Sequence, residues 1–436
     1  MTFDEAVKYL LGLGHETLAV KLGLASVTRL LAELSGPEKS YPSVQIAGTN
    51  GKGSTAAMLD AACRAASIKT GLYTSPHLVS MTERIRTAGR DISREEFARL
   101  VGRVRDAALP LRDEAGALPS FFEQVTAAAL CAFRDARVEL AILETGLGGR
   151  LDATTAALAS TVAITPVALD HQEYLGSTIR EIAAEKAAII RAGAQAVVSP
   201  AQSPDALAVI LARCRETGVA PRFATEEISV EGATSDGCLR ATFRTADDVY
   251  ENVTLALRGR HQITNAATSI ALAELLRARG FGRLTRDAII EGLSTAEHPG
   301  RLELVAGSPP LLLDGAHNPA GARALRAHLD EFAPPRVTMV FGAMRDKDLT
   351  EIAAALFPAA DHLILTPIDN PRAAAPAALR AYAPPTSDPA KVSLADSPAD
   401  ALRLAREVAP RDGLVCVTGS LYLVGEVKRL LAGGAA

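Results

Sequence analysis

The most constraining feature of the 436-residue chain is the segment Ala47-Gly48-Thr49-Asn50-Gly51-Lys52-Gly53-Ser54-Thr55. It follows a short run of strand formers, Tyr41 to Ala47, and opens an Ala-rich stretch, Ser54 to Ala66, of helical composition. A strand, a glycine-rich turn and a helix in that order aim backbone N–H groups at one point, as phosphate-binding loops do. Lys52 would reach β- and γ-phosphate oxygens, and a hydroxyl from Ser54 or Thr55 could approach Mg²⁺ or a phosphate. The strict P-loop spacing is not met: it would have Gly at Ile46 and Ser or Thr at Gly53. An ordinary P-loop kinase or GTPase is therefore disfavoured, and the loop points to ATP-dependent ligation.

The rest of the pattern predicts an α/β protein. Residues 1 to about 40 read as helices with Leu10, Leu11, Leu30, Leu31 and Leu34 as core contacts. Buried strands are expected at Leu140 to Leu143, Thr161 to Thr165 and Ala196 to Val198, with helices at Pro119 to Arg134 and Thr178 to Arg191. Such alternation implies a mostly parallel sheet. From Glu226 to Leu257 short alternating runs (Ile228 to Val230, Leu239 to Phe243, Val253 to Leu257) suggest an antiparallel ribbon at a sheet edge, followed by helices at Gln262 to Arg279 and Thr285 to Leu293. Turn chemistry in Glu297-His298-Pro299-Gly300-Arg301 marks a linker. Beyond it, strands at Leu311 to Leu313, Val337 to Phe341, His362 to Thr366 and Leu414 to Thr418 alternate with helices at Gly321 to Phe332 and Pro398 to Val408, the latter capped by Ser397. Ala373 to Pro385 reads as a surface excursion. The expected division is a P-loop-type ATPase domain with a mostly parallel sheet over 1–296, and a smaller, Rossmann-like α/β domain over 297–436.

Composition bounds the partners. The 46 basic and 50 acidic side chains leave a net charge of −4 with no long basic run, so no nucleic-acid footprint is present and small molecules are expected. Five scattered cysteines without CxxC spacing argue against a disulfide framework and fit a reducing cytoplasm. No basic-then-apolar leader and no stretch of about 20 apolar residues is visible, so export and membrane readings are set aside.

Several probable strand ends carry polar groups: Thr74-Ser75-Pro76-His77, Glu144 opening Glu144-Thr145-Gly146-Leu147-Gly148-Gly149, and Asp170-His171, with Glu185-Lys186 inside a helix. In a parallel sheet such ends converge on the ligand crevice. Mg²⁺ prefers oxygen ligands, so Glu144 and Ser75 are chemically apt and His171 is a softer alternative. Taken singly, such a Glu or His at a strand end is more often solvated or hydrogen-bonded than metal-bound, and Lys186 by itself reads as a helix-surface lysine paired with a carboxylate. The crowd of Gly146, Gly148 and Gly149 lacks the GxGxxG of dinucleotide sites.

In order along the chain, these segments resemble the folylpolyglutamate synthase/dihydrofolate synthase family, a branch of the Mur ligase superfamily. The resemblance rests on Ala47 to Thr55, Thr74 to Leu78, Phe121 to Glu123, Leu143 to Asp152, Leu169 to His171, Glu185-Lys186, His261-Gln262 with Asn265 to Ala267, Pro299 to Glu303 and Asp314 to Pro319. Gly53-Ser54 is similar to the folate branch, whereas the peptidoglycan ligases usually carry two threonines after the lysine.

The resemblance implies that Asn50, Gly51, Lys52, Gly53, Ser54 and Thr55 bind ATP phosphates, and that Asn265, Arg301, Asp314 and His317 contact the nucleotide, so both domains share the ATP site. Ser75, Glu144 and His171 match Mg²⁺ ligands, and Lys186 matches a lysine that the family carbamylates to help hold a second ion. Phe122, Glu123, Gln124, Val125 and Leu151 match the pteroate or folate pocket, with Ala19 to Lys21 a looser match; Thr155 stands where relatives often have Asn. Lys52, His171 and Lys186 are the expected catalytic residues. The implied reaction is ADP-forming: the γ-phosphoryl group of ATP activates a dihydropteroate or folate carboxylate as an acyl phosphate, which the amine of L-glutamate attacks. A cytoplasmic monomer is expected. A Mur-type amide ligase acting on another carboxylate and a non-catalytic ATP-binding relative remain the alternatives.

Overall fold

A computed structural model describes residues 1–14, 23–112, 117–225, 227–383 and 388–433. Its contacts divide into two compact units. The first comprises Met1–Ser229, Ala241–Val253 and Thr264–Ala296; the second comprises Val230–Arg240, Thr254–Ile263 and everything from Glu297 onward.

The first unit is built on an eight-stranded sheet. Its strands are β1 (Ser43–Ala47), β2 (Thr70–Tyr73), β3 (Ile85–Thr87), β4 (Arg90–Asp91), β5 (Leu140–Glu144), β6 (Thr161–Ile164), β7 (Gln195–Val198) and β8 (Pro221–Phe223), in the order β4-β3-β2-β5-β1-β6-β7-β8. Pairings are parallel from β2 across to β8, while β3 and β4 add an antiparallel edge. The central strands β1, β5 and β6 are buried along their whole length, as covered parallel strands must be. One face carries a core from helices Arg94–Ala108 and Phe121–Ala136; another core joins helices Ile179–Ala187 and Pro204–Thr217 to β6 and β7. From β1 the chain crosses to β2 on one side, while β6 continues to β7 on the other. The gap between the ends of β1 and β6 is thus a topological switch point, where open α/β sheets bind ligands.

Helix Lys52–Ala65 follows β1 and packs on helix Arg286–Thr295. Their approach requires glycine: a Cβ at Gly292 would lie 2.2 Å from the backbone nitrogen of Ala62. Two other helices start with reciprocal caps, Ser120 with Glu123 and Thr178 with Glu181. Both hold segments that the sequence marks as functional.

Two expectations need correction. Leu11 is 51% exposed, whereas Leu10, Leu30, Leu31 and Leu34 are buried as expected; at this position the helix Phe3–Gly12 turns its leucine outward. The ribbon is not at a sheet edge. Its strands β9 (Glu227–Ala233), β10 (Leu239–Arg244) and β11 (Val249–Thr254) form a three-stranded sheet of their own, and the last begins earlier than the run Val253 to Leu257 suggested. The described part of Ala373 to Pro385 is mostly exposed, as a surface excursion should be, and carries a short helix, Pro376–Arg380. Glu226 and residues 384–385 lie outside the described residues.

The second unit contains a six-stranded sheet of β12 (Glu303–Val305), β13 (Leu311–Leu313), β14 (Val337–Phe341), β15 (His362–Leu365), β16 (Val392–Leu394) and β17 (Leu414–Thr418), in the order β12-β13-β17-β14-β15-β16. All pairs are parallel except β12 with β13. Its core joins the sheet to helices Pro319–Phe332 and Leu349–Leu356. The molecule is therefore α/β throughout, with a large, mostly parallel sheet and a second, smaller one. Among the described residues no helix is long and apolar enough to cross a membrane.

Candidate active site

The phosphate loop is stitched onto the segment that follows β6. The amides of Thr49 and Asn50 donate to the carbonyl of Pro166 at 3.0 and 3.2 Å, and the Thr49 hydroxyl bridges both the amide and the carbonyl of Ala168 at 3.0 Å. Glycine is required at two points. Gly48 has φ +153°, and a Cβ there would fall 1.8 Å from the Thr165 hydroxyl; Gly51 has φ +88°, and its Cβ would fall 2.2 Å from Oδ1 of Asn265. The second contact sets Asn265, on helix His261–Ala278, directly against the loop. Helix Lys52–Ala65 has no side-chain cap, which suits an anion at its N-terminus. Behind the loop, the Thr55 hydroxyl is buried with no hydrogen-bond partner among the described residues.

Two lysines converge on this turn. Lys52 folds back so that Nζ donates to the carbonyls of Gly48 and Thr49, each at 3.1 Å. Lys186 Nζ donates to the same Gly48 carbonyl at 2.8 Å. Reading Lys186 as a surface lysine is thus wrong: it is 4% exposed. Ile182, Ala183 and Ala187 share its helix face, so the apolar stripe was the signal that could have placed it inside. Burial, and then the charge of Lys52, push its pKa down to about 7. Much of it is therefore a neutral, nucleophilic amine near pH 7.

On the other side of β1, Glu144 ends β5 in register with Ile46. Its Oε2 accepts from the Ser75 amide at 3.2 Å, so two of the expected metal-binding residues meet. His171 adopts a left-handed backbone (φ +50°), and its ring lies 3.9 Å from the Asp170 carboxylate. Among the described residues no group of three or more His, Cys, Asp or Glu side chains is disposed to hold a metal. Mg²⁺ does not need one, since it commonly takes one or two carboxylates and completes its shell with phosphate oxygens and water. The hard oxygens of Glu144 and Ser75 beside a phosphate loop fit that use.

Phe122 begins the segment expected at the pteroate pocket, and its ring would touch a Cβ at Gly146 at 2.4 Å, so the segment abuts the loop after β5. The rest of that segment is largely committed to structure. The Glu123 carboxylate caps its own helix through the Ser120 amide at 2.7 Å, Gln124 bonds Tyr9 and Pro119, and Val125 is core. Leu151 is half-buried next to Asp152. Ala19 to Lys21 lie outside the described residues.

Asp152 is a residue the functional reading missed although it ends a quoted segment. Its Oδ2 accepts from the amides of Gly146 and Leu147, both at 2.9 Å, and its Oδ1 from the amide and hydroxyl of Thr154 at 3.0 and 2.5 Å. These bonds fold the segment after Glu144 into a closed loop.

In the second unit, Asp314 directly follows β13, its carboxylate accepting from the amides of Leu302 and Ala316, both at 2.9 Å, while burial raises its pKa and the Arg301 charge opposes the rise. The His317 ring bonds the Gly315 carbonyl at 2.8 Å, and the Gly315 amide donates to Gly300 at 2.9 Å. Arg301 also holds down the pKa of His261, which burial, Arg301 and His328 together bring to about 4. The unit thus gathers Arg301, Asp314 and His317 around one turn.

Fold and site together place the chain among the Mur ligases: residues 46–273 match the Mur ligase middle domain, and 300–421 the Mur ligase glutamate ligase domain. A Bacillus subtilis dihydrofolate synthase/folylpolyglutamate synthase is 35% identical over 96% of this chain and 97% of its own length. The Mycobacterium tuberculosis folylpolyglutamate synthase complexed with ADP superposes with a TM-score of 0.90 at 33% identity, over 98% of each chain. The Escherichia coli FolC in complex with DHPP and ADP does so with a TM-score of 0.87 at 32% identity, over 100% of this chain and 99% of that one. The chain belongs to the folylpolyglutamate synthase/dihydrofolate synthase family.

Proposed function

We propose that the protein is an ATP-dependent, ADP-forming ligase that adds L-glutamate to dihydropteroate, to the γ-carboxylate of folates, or to both. The observation that carries this reading is the loop Gly48 to Thr55, with Lys52 and Lys186 meeting on the Gly48 carbonyl and Glu144 one strand away. A carboxylate does not condense with an amine in water, so phosphoryl transfer must first make it an acceptor. Loop amides and Lys52 would hold the β- and γ-phosphates in line, and in such transfers positioning and charge neutralisation supply most of the catalysis. Divalent metal, held by Glu144, Ser75 and His171, would supply further neutralisation of phosphate charge. Phe122 and Leu151 would face the pterin, with Glu123, Gln124 and Val125 supporting the segment. Asn265, Arg301, Asp314 and His317 are proposed nucleotide contacts, with 1–296 as the ATP- and folate-binding domain and 297–436 as the glutamate-ligase domain.

Carbamylation of Lys186 is part of the proposal. The neutral amine attacks CO₂ and releases one proton, leaving a carbamate whose remaining N–H still suits the Gly48 carbonyl. The new oxygens would offer hard ligands for a second ion. The scattered cysteines suit a reducing cytoplasm, and a monomer is proposed.

The deciding assay offers purified protein ATP, Mg²⁺ and L-glutamate with dihydropteroate or a reduced folate in parallel. ADP release that requires both glutamate and one of the pterin substrates supports the reading. Release driven only by a different carboxylate would make the chain another Mur-type ligase; nucleotide binding without stimulated hydrolysis would make it a non-catalytic relative.

A further inference from the structure

Gln45 is a fully buried amide in the middle of β1, three residues before Gly48. Its Nε2 donates to the hydroxyls of Thr154 at 2.9 Å and Thr155 at 2.7 Å. The Thr155 hydroxyl in turn donates to the Gly149 carbonyl at 2.6 Å. Gly149 rests on the end of the helix that carries Lys186: a Cβ there would lie 2.9 Å from the Glu185 carbonyl and 3.0 Å from that of Lys186. The next residue adds a bond, since the Arg150 amide donates to the Glu185 carbonyl at 2.8 Å and its guanidinium pairs with the Glu185 carboxylate. Lys186 then returns to Gly48. The contacts form a closed ring running from β1 through Thr155, the Gly149 turn and Lys186 to the phosphate loop, and so back to β1.

We propose that Gln45 and Thr155 are positioning residues, which through the Gly149 turn set where Lys186 stands over the phosphate loop. Their side-chain hydrogen bonds among the described residues run to each other, to Thr154 and to Gly149. Both are buried polar groups whose bonds run along the ring, and a buried hydrogen bond of this kind holds a backbone carbonyl more narrowly than packing does. The Thr155 hydroxyl is the link, accepting from the Gln45 amide on one side and donating to the Gly149 carbonyl on the other.

The kinetic part of the test rests on the ligase reading; the structural part does not. Thr155→Val keeps the shape and removes the hydroxyl, Thr155→Ser keeps the hydroxyl, and Gln45→Met removes the donor. In Thr155→Val, amide exchange at Arg150 should quicken about tenfold, the equivalent of one lost hydrogen bond. Its kcat should fall about tenfold or more while KM for ATP stays within about twofold, as misplacement of a catalytic group would produce. Thr155→Ser should match the parent in both. If Thr155→Val does not fold, Gln45→Met carries the same expectations. Exchange and turnover at parental levels in the Val and Met variants, or a Ser variant as impaired as Val, would overturn the proposal. A parent without turnover would instead refute the ligase reading, with the exchange data still deciding the ring.

Discussion

Lys186 Nζ stands 2.8 Å from the carbonyl oxygen of Gly48, and that carbonyl also accepts from Lys52 at 3.1 Å. Burial, and then the repulsion of the Lys52 ammonium across the shared acceptor, bring the Lys186 pKa down to about 7. A readily neutral lysine thus stands beside Lys52 at the turn proposed to hold phosphate.

Lys52→Ala should remove the charge opposite the transferred phosphoryl group while leaving the fold intact, since among the described residues the side chain bonds two loop carbonyls. Turnover should drop by about 10²–10³-fold, the usual consequence of losing an electrostatic partner of the transition state. Steady-state ADP release and a thermal melt on the same sample check this. Activity near the parent's would sink the proposed mechanism.

Glu144→Gln keeps an acceptor for the Ser75 amide but replaces the carboxylate charge beside the loop with a neutral amide. The expected result is a rise of about tenfold or more in the Mg²⁺ concentration needed for half-maximal turnover. Chelation should abolish the parent's activity, and added Mg²⁺ should restore it. An unchanged metal requirement in the variant would remove Glu144 from the ligand set.

His328 supplies an acid-sensitive point in the second unit. It is 6% exposed, its Nδ1 has no partner among the described residues, and a Cβ at Gly237 would sit 2.4 Å from its ring. Burial, followed by the Arg258 charge, lowers its pKa from 6.5 to about 4. Between those values the unfolded chain binds the extra proton, so this contribution to stability is complete above pH 6.5 and is lost as pH falls toward 4. The loss is on the order of 1–3 kcal/mol. Melting temperatures across that range should fall more steeply for the parent than for His328→Phe; parallel curves would refute the assignment.

Glu303 accepts from the Gly300 amide at 2.7 Å and from Lys428 Nζ, tying the turn that presents Arg301 to the last helix. Lys428→Met should loosen that turn and raise KM for ATP about three- to tenfold with kcat within about twofold. Lys428→Arg should restore most of the loss. If Arg and Met behave alike in nucleotide affinity, the ion pair has no part in presenting Arg301.

By itself the sequence determined the strand, glycine turn and helix around Gly48 to Lys52, most of the buried strands, and the identity of the polar groups at their ends. Those signals are local: glycine spacing and runs of β-branched residues act over a few positions. It did not reveal the separate sheet of β9 to β11, because alternation identifies a strand but not its neighbour. Nor could it pair Gln45 with Thr155, which lie 110 residues apart, although one amide in the otherwise apolar run Val44 to Ala47 was a hint. Tertiary structure alone decided that Lys186 is buried on the Gly48 carbonyl. The charge state of a lysine depends on what covers it, and here the cover is the phosphate loop itself.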